Sequence, residues 1–362
     1  MDSIGVNLQA AAELLMRPET RNVVILTHIA PDPDTIGSAL ALRGALRSLG
    51  KQVWAVCADR LSDRLRAIFN ACGEDCSPRL DYDELTKYAG AAPDTSNANK
   101  LPPFGLSEEF FVVSVDAAAD HLLGGWADEA QAGRIPDLMF DHHAVGTPFA
   151  RFCYIDRASC STGQIIAELC EILLPDGFPK PLASQLYCAI ASDSGRFMYD
   201  SVTSQTLRIA ARLYDCGIDA AELNRAVFNN KSFEQFQIER LCYNSLRLGH
   251  GGTIGVLSVT LAAKTAAGLD NVEVDGVAHI PLTIAGVEVG IILKQQLTDD
   301  GHEEYAVSLR SARYADVAAI CARFGGGGHL HAAGCRISAP LAEAEHALLA
   351  LAAEAIDAGK VQ

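Results

Sequence analysis

The chain has 362 residues, of which 45 are acidic and 29 are basic, so it carries a formal net charge of −16 and has a pI near 5.0. This length suggests two domains, each with a core of its own. The acidic balance argues against binding of long duplex nucleic acid, which requires a cationic surface, but it does not exclude a short anionic ligand held by metal ions.

Cysteine usage and the absence of targeting patterns suggest a cellular location. Most of the 11 cysteines lie singly within apolar segments. The one close pair, Cys72 and Cys76, lacks the second pair that a structural zinc site requires. Neither a signal-peptide pattern nor an apolar run of membrane-spanning length is visible. We therefore expect a soluble cytoplasmic protein with reduced thiols that does not associate with membranes.

The first half of the chain alternates short apolar runs with helical stretches. Strands are predicted at residues 23–27, 53–57, 110–115 and 138–140, and a helix at residues 36–49. This alternation is typical of a parallel sheet wrapped by helices. Residues 89–106 are rich in turn-forming residues without periodicity, and we expect them to form a surface loop.

The second half predicts a smaller α/β module. A helical pattern extends over residues 204–248, with Leu207, Ala210, Ala211 and Tyr214 expected on one face. Further strands are predicted at residues 253–260, 282–293, 305–309 and 335–338, with helices at residues 317–323 and at the alanine-rich end. We therefore expect a first domain at residues 1–228, a helical linker at 229–248 and a second domain at 249–362.

Acidic residues and histidines gather at the ends of the apolar segments in the first half. They are His28, Asp32 and Asp34 after the first strand, Asp116 after the third, Asp141, His142 and His143 at the fourth, and Asp193 at the end of a helical run. In open parallel α/β sheets, ligands bind outside the carboxyl ends of the strands. We therefore expect these groups to meet at one edge of the sheet.

Such a cluster of carboxylates indicates divalent cations, because uncompensated carboxylates raise one another's pKa values. A ligand set of carboxylates and imidazoles without thiolates suits Mn²⁺ better than a structural zinc ion. An aspartate after a strand is more often a turn or helix-cap residue, and Asp34 has this alternative interpretation. The coincidence of strand-end positions with paired histidines favours the metal site, and two ions roughly 3.5–4 Å apart can promote phosphoester hydrolysis.

A second group of polar residues lies in the C-terminal part. Arg310 ends a predicted strand and is suited to bidentate phosphate binding, although such an arginine is more often a solvated charge. Gly327 and Gly328 belong to a run of four glycines that precedes His329. Glycine leaves backbone N–H groups accessible to a phosphate, but such runs more often form flexible connections or tight turns.

Taken in order, these motifs resemble the DHH phosphoesterase superfamily, whose name corresponds to Asp141-His142-His143. The other matching segments are residues 27–38, 115–116, 155–163 and 192–197, and the glycine-rich residues 325–334 resemble the DHH-associated C-terminal domain. Pro33 stands where the family commonly has glycine, which leaves both flanking carboxylates in place. A chain of these two domains is similar to the oligoribonuclease and pAp-phosphatase group often called NrnA.

The resemblance implies a two-manganese site in a cleft between the domains. It implies His28, Asp32 and Asp116 at one ion, and Asp34, Asp116, His142 and Asp193 at the other. It further implies that His143 faces the scissile phosphate, that Asp141 is a ligand or orients its neighbours, and that Arg310, Gly327, Gly328 and His329 hold phosphate.

The leading hypothesis is therefore a two-metal phosphoesterase acting on short oligoribonucleotides, on pGpG-type dinucleotides, or on 3′-phosphoadenosine 5′-phosphate. Mg²⁺ and Co²⁺ are alternatives to Mn²⁺, and the apolar helical segment after Ser204 suggests a homodimer. A cyclic-dinucleotide phosphodiesterase and a catalytically silent nucleotide-binding regulatory module remain as alternatives.

Overall fold

The computed structural model describes residues 3–88, 109–124, 135–274, 276–298 and 300–359. The predicted surface loop at residues 89–106 lies outside them. The chain divides into two compact units, Met1–Asn230 and Lys231–Gln362, and each contains a six-stranded sheet. Among the described residues, no helix combines the length and apolar character needed to cross a membrane.

The first unit is built on a parallel sheet, as the alternating pattern predicts. Its strands are β1 (Ile4–Gly5), β2 (Asn22–Leu26), β3 (Gln52–Val56), β4 (Phe110–Val115), β5 (Leu138–Asp141) and β6 (Phe152–Ile155). Their order across the sheet is β1-β6-β5-β4-β2-β3, and every pair is parallel. The central strands are apolar runs because helices cover both faces of such a sheet.

Eight α-helices of the described residues surround this sheet. They are α1 (Leu8–Met16), α2 (Pro33–Ser48), α3 (Asp63–Ala71), α4 (Tyr82–Tyr88), α5 (Thr162–Leu173), α6 (Lys180–Asp193), α7 (Ser204–Asp215) and α8 (Ala220–Asn224). Helices α2 and α6 pack closely at Gly37, where an added Cβ would lie 2.7 Å from the carbonyl oxygen of Gln185. This glycine allows the two helices that carry Asp34 and Asp193 to approach each other.

Helix α7 has two apolar faces, and the predicted face with Leu207 and Tyr214 is not the one that packs on the core. The helix buries Thr206, Ile209, Ala210 and Leu213, whereas Leu207 and Tyr214 are 53% and 52% exposed. Two apolar stripes with helical spacing meet near Ala210. One includes Leu207 and Tyr214, and the other, through Ile209 and Leu213, is the one that packs on the core.

The second unit has a mixed sheet with helices on both faces. Its strands are β7 (Arg247–Gly249), β8 (Ile254–Val259), β9 (Val289–Leu297), β10 (Glu303–Ser311), β11 (Gly327–His329) and β12 (Ala332–Ile337). Its helices are α9 (Phe233–Ser245), α10 (Leu261–Ala266), α11 (Val317–Ala322) and α12 (Leu341–Gly359). Within the predicted linker, α9 buries Ile238 and Cys242 in one core cluster with Leu257 of β8.

Two details of this unit differ from simple sequence patterns. The predicted strand at residues 282–293 begins only at Val289, because a turn with Gly286 at φ +89° interrupts the extended run. The glycine run is not merely a flexible connection, since Gly327–His329 pairs with β12 as an antiparallel strand. A Cβ on Gly326 would lie 2.2 Å from the carbonyl oxygen of Gly334, so this close approach requires glycine.

Candidate metal centre

The polar residues that follow β2, β4 and β5 meet at the carboxyl edge of the parallel sheet. Potential ligand atoms lie within 4.8 Å of one another in three groups of residues. These groups are His28, Asp32 and Asp116; Asp34, His142 and Asp193; and Asp116, His142 and His143. The structure therefore brings the six predicted metal ligands together, with His143 beside them.

Asp32 and Asp34 are positioned by the beginning of helix α2. Asp32 is the N-cap and accepts hydrogen bonds from the N–H groups of Asp34 and Thr35 at 2.9 and 3.0 Å. Pro33 occupies the first helical position, where its fixed φ is compatible with the helix and no N–H is needed. The proline that departs from the family pattern therefore separates the two carboxylates at a well-defined helix start.

The Asp34 carboxylate is buried against the N-terminus of helix α5. Its Oδ2 accepts the N–H of Thr162 and its Oδ1 accepts the N–H of Gly163, both at 2.8 Å. A helix N-terminus favours a negative charge because its first N–H groups lack partners within the helix. A Cβ on Gly163 would lie 2.5 Å from Cβ of Ala189, so the helix start approaches this closely only with glycine.

Asp116 lies between the two sides of the site. Its Oδ2 is 3.5 Å from Nε2 of His28, and its Oδ1 is 3.6 Å from Nε2 of His142. The hydroxyl of Thr162 donates to Oδ1 at 2.8 Å, and the backbone of Asp116 has a φ of +60°. A left-handed aspartate of this kind costs about 1–3 kcal/mol and is typical of functional sites. Each carboxylate oxygen thus faces a different histidine.

The two histidines that face Asp116 direct Nε2 towards carboxylates. Nδ1 of His28 is engaged with the carbonyl oxygen of Ile29 at 2.7 Å, which orients the ring. Its Nε2 lies 3.9 Å from Asp32. Nε2 of His142 lies 3.4 Å from Asp193 and 3.9 Å from Asp34.

His143 has a different environment. Its Nδ1 forms a 2.7 Å hydrogen bond with Oδ1 of Asp141, which is buried at 2% exposure. The same Nδ1 lies 3.9 Å from Asp116. Because Asp141 engages Nδ1, this ring is better arranged for contact through Nε2 than for metal binding through Nδ1.

The spacing of these donor atoms fits divalent cations. Nε2 of His28 and Nε2 of His142 lie 3.4–3.9 Å from the surrounding carboxylate oxygens, at or beyond the outer limit of a hydrogen bond. Atoms that bind one ion at about 2.1 Å lie about 3–3.5 Å from one another, so an ion would draw them together only slightly. The absence of thiolates among these donors agrees with a hard or borderline ion.

Burial and mutual repulsion disfavour the charged form of two carboxylates. Burial, followed by the charges of Asp116 and Asp193, raises the pKa of Asp34 well above its ordinary value. Burial, followed by the charges of Asp193 and Asp116, raises the pKa of Asp32 from 3.8 to about 7. At Asp116, burial acts in the raising direction, but a hydrogen bond from His28 and the charge of His142 lower the pKa.

The histidines hold the compensating protons in the absence of cations. Burial acts to lower the pKa of His28, but hydrogen bonding and charge from Asp116 outweigh it and raise the pKa from 6.5 to about 9. The pKa of His142 also rises to about 9, because Asp193 and Asp116 outweigh its burial. Cation binding by these residues would therefore displace protons.

The predicted phosphate-binding residues lie in the second unit. Arg310 of β10 pairs with Ala332 of β12, and Ala332 pairs with His329 of β11, so the three residues share one row of the sheet. Nη1 of Arg310 donates to the carbonyl oxygen of Leu309 at 2.9 Å. Gly327 and Gly328 are exposed in β11, whereas the side chain of His329 lies outside the described part of the structure.

The first turn of α5 contributes to the site in a way that the sequence did not predict. Ser161 is the N-cap of this helix, and Thr162 and Gly163 contact Asp34 and Asp116. A serine before an apolar helical run is a recognisable helix start, so the local element was predictable. Its carboxylate partner was not, because it lies 128 positions earlier in the chain.

Comparisons with known proteins identify the family of this chain. Residues 22–190 match the DHH family N-terminal domain, and residues 256–358 match the DHHA1 domain. Over 332 residues the chain is 27% identical to the bifunctional oligoribonuclease and PAP phosphatase NrnA of Thermus thermophilus, covering 91% of this chain and 88% of that protein. It is 24% identical to the cyclic-di-AMP phosphodiesterase GdpP of Geobacillus thermodenitrificans over 94% of this chain but 49% of that protein.

One solved structure shows the same fold over nearly the whole length. An exopolyphosphatase-related protein from Bacteroides fragilis has a TM-score of 0.78, with 23% sequence identity and coverage of 96% of both chains. The DHH match precedes the DHHA1 match along the chain. The DHH match contains every residue of the candidate metal centre except Asp193. This chain therefore belongs to the DHH phosphoesterase superfamily and is similar to its NrnA members.

Proposed function

We propose that this protein is a manganese-dependent phosphoesterase that hydrolyses very short oligoribonucleotides and 3′-phosphoadenosine 5′-phosphate. The observation that carries this proposal is the Asp116 carboxylate, whose two oxygens face His28 on one side and His142 on the other. A carboxylate in this arrangement suits a pair of cations. The name of the Thermus relative, which matches 91% of this chain, supports the substrate class.

The proposed ligands form two sets that share Asp116. One set consists of His28, Asp32 and Asp116. The other consists of Asp34, His142 and Asp193, together with Asp116, whose Oδ1 faces His142. When bound, two divalent cations would activate a water molecule and stabilise the leaving oxygen. The first turn of α5 would keep Asp34 and Asp116 in place during the reaction, since it donates hydrogen bonds to both carboxylates.

His143 and Asp141 are the proposed catalytic pair. Burial acts to lower the pKa of His143, but its hydrogen bond to Asp141 and the charge of Asp116 raise it above the ordinary value. A histidine that retains its proton near a phosphate can donate a hydrogen bond to it, and Asp141 would fix the tautomer and the ring orientation. We assign phosphate contact to Nε2 of His143.

The proposed substrate contacts of the second unit are Arg310, Gly327, Gly328 and His329. Arg310 and His329 share one row of the sheet, on either side of the strand that carries Ala332. Guanidinium groups and exposed glycine N–H groups are suited to phosphate oxygens. These residues would hold the substrate through its phosphates, so their contribution to binding would not depend on the identity of the base.

Composition and exposed residues support proposals about substrate length, oligomeric state and location. A net charge of −16 disfavours long polyanions and agrees with a short substrate. The exposed apolar residues Leu207 and Tyr214 on α7 support a homodimer. We also propose a cytoplasmic location, which rests on the unpaired cysteines.

A second candidate function is hydrolysis of cyclic dinucleotides. The similarity to the cyclic-di-AMP phosphodiesterase covers 94% of this chain, including both domains. This chain spans only about half of that relative's length, whereas it spans 88% of the Thermus protein. The fuller match therefore favours the oligoribonuclease and phosphatase reaction.

The test is a turnover panel with 3′-phosphoadenosine 5′-phosphate, pGpG, RNA of two to five nucleotides and cyclic di-AMP, each with Mn²⁺, Mg²⁺ or Co²⁺. We expect the largest kcat/KM with Mn²⁺ on the linear substrates or on the bisphosphate. A preference for cyclic di-AMP would select the second candidate. Binding without product release for every substrate and metal would contradict both enzymatic proposals and identify a regulatory module.

A further inference from the structure

The loop that follows Asp193 has an unusual backbone. Residues 194–199 leave the end of α6, and three consecutive residues adopt left-handed conformations, with φ of +55° at Gly195, +61° at Arg196 and +63° at Phe197. Glycine adopts this region readily, but a residue with a side chain remains there only when its surroundings hold it.

Several hydrogen bonds fix this loop. The N–H of Arg196 donates to the carbonyl oxygen of Ala191 at 2.8 Å, and the N–H of Phe197 donates to the hydroxyl of Ser194 at 3.0 Å. The N–H of Tyr199 donates to the carbonyl oxygen of Ser194 at 3.1 Å. The backbone of this loop is therefore well defined.

Arg196 is a positioned cation without an acidic partner. Its guanidinium carbon lies 4.2 Å from the centroid of the Phe228 ring, and its Nη2 donates to the side-chain oxygen of Asn229. Within the described residues, no carboxylate lies within salt-bridge distance of it, although acidic residues outnumber basic ones in this protein. An aromatic ring and an amide thus hold this charge in place three residues beyond Asp193.

Tyr199 presents an exposed aromatic ring in the same loop. The ring lies against Gly195, since a Cβ on that glycine would be 2.4 Å from Cζ of Tyr199. The residue nevertheless keeps 57% of its surface exposed. One face of the ring is therefore supported by the backbone next to Asp193, and the residue remains largely accessible.

We propose that Arg196 and Tyr199 form a nucleotide subsite, in which the guanidinium binds a phosphate and the tyrosine ring stacks on a base. Guanidinium groups bind phosphate oxygens through paired N–H donors, and aromatic rings stack on bases with little dependence on their identity. The subsite rests on the proposed function for its substrate class. It would give the first unit a contact with the nucleoside in addition to the contacts with the reacting phosphate.

The experiment measures equilibrium binding of a non-hydrolysable pGpG analogue and of its abasic counterpart, in the presence of Mn²⁺. The variants are Arg196→Ala, Tyr199→Ala and Tyr199→Phe, with manganese content and Tm measured for each. Arg225→Ala is the matched control, because Arg225 is another exposed arginine of this unit but is paired with Glu222 at 2.6 Å.

We expect Tyr199→Ala to weaken binding of the pGpG analogue about 10-fold, with no effect on the abasic analogue, because only the stacked base is lost. Tyr199→Phe retains the ring and should bind like the wild type. Arg196→Ala should weaken binding of both analogues about 10-fold, since the phosphate is common to them. If Arg196→Ala lowers the metal content, binding of both analogues is measured with Arg196→Gln instead, because this variant removes the charge and retains a polar side chain.

Unchanged binding in Tyr199→Ala and in the arginine variant, with full metal content, would overturn the subsite. If the wild type hydrolyses short oligonucleotides and these variants bind normally, the subsite is rejected and the proposed function stands. If the wild type binds the analogue but hydrolyses none of the substrates, and the variants lose binding, the subsite stands and the proposed reaction is rejected. Absence of binding by the wild type rejects the subsite regardless of turnover.

Discussion

The backbone N–H of Gly163 donates a 2.8 Å hydrogen bond to Oδ1 of Asp34, a residue 129 positions earlier in the chain. The contact joins the start of α5 to the start of α2 and fixes one proposed ligand of the metal centre. It depends on glycine, because an added Cβ would lie 2.5 Å from Cβ of Ala189 and 3.0 Å from the same Asp34 oxygen.

Replacing Gly163 with alanine should therefore impair both stability and metal binding. Overpacking of this kind costs about 1–3 kcal/mol of the free energy of unfolding, and the displaced helix start should reduce manganese affinity. Chemical denaturation and metal titration measure the two effects. In Gly44→Ala, the added Cβ meets only Leu182 at 3.9 Å, so this matched helix variant should be as stable as the wild type or more so. Equal behaviour of the two variants would contradict the prediction.

Asp116→Asn should abolish manganese binding at both proposed positions. The substitution preserves the shape of the side chain but removes the charge that faces His28 and His142. We expect turnover to fall by at least about 100-fold, since loss of an orienting residue outside the ligand set already costs about 10–100-fold. Metal content by mass spectrometry after dialysis checks this. Two retained equivalents of manganese would show that Asp116 does not bridge the ions.

His142 and His143 should differ in their effects, although they are adjacent. His142→Ala removes an Nε2 that lies 3.4 Å from Asp193, and it should lower metal affinity. His143→Ala should retain both ions and lose about 10²–10⁴-fold in kcat, because its Nδ1 is engaged by Asp141 rather than by the cluster. Parallel metal and turnover measurements separate the two roles. Metal loss in His143→Ala would instead make this histidine a ligand.

Manganese affinity should increase with pH between about 6 and 9. The pKa values of His28 and His142 are raised to about 9 in the metal-free protein, so both rings are protonated at neutral pH and must release a proton before they bind an ion. Above about pH 9 the affinity should level off. Calorimetric titration in two buffers of different ionisation enthalpy measures the released protons. An affinity that is constant from pH 6 to 9 would disprove this proton–metal exchange.

Much of the metal centre was predictable from local patterns. Apolar runs followed by aspartate and histidine predicted strand ends, and parallel strands bring such ends to one edge of the sheet, as observed for Asp116 after β4 and His28 after β2. The DHH resemblance was confirmed by matches to both domains. The short strands β1 and β6 were missed, because strands of two and four residues provide too little periodicity.

Other features depended on tertiary contacts that no local pattern contains. The buried face of α7 could not be chosen from spacing alone, because two apolar stripes pass through Ala210. The contact of Thr162 with the Asp116 carboxylate joins chain segments 46 positions apart. The environment of His143 became apparent only through its hydrogen bond to the buried Asp141.

The contact between Asp34 and the first turn of α5 also restricts length changes at the start of this helix. Thr162 and Gly163 are its first two residues, and their N–H groups bind the carboxylate. Each residue of an α-helix rotates the chain by about 100°, so a residue inserted between Thr162 and Gly163 would turn the N–H of Gly163 away from Asp34. Such an insertion would disable the centre without altering any ligand, and natural length variation should therefore be excluded from this turn.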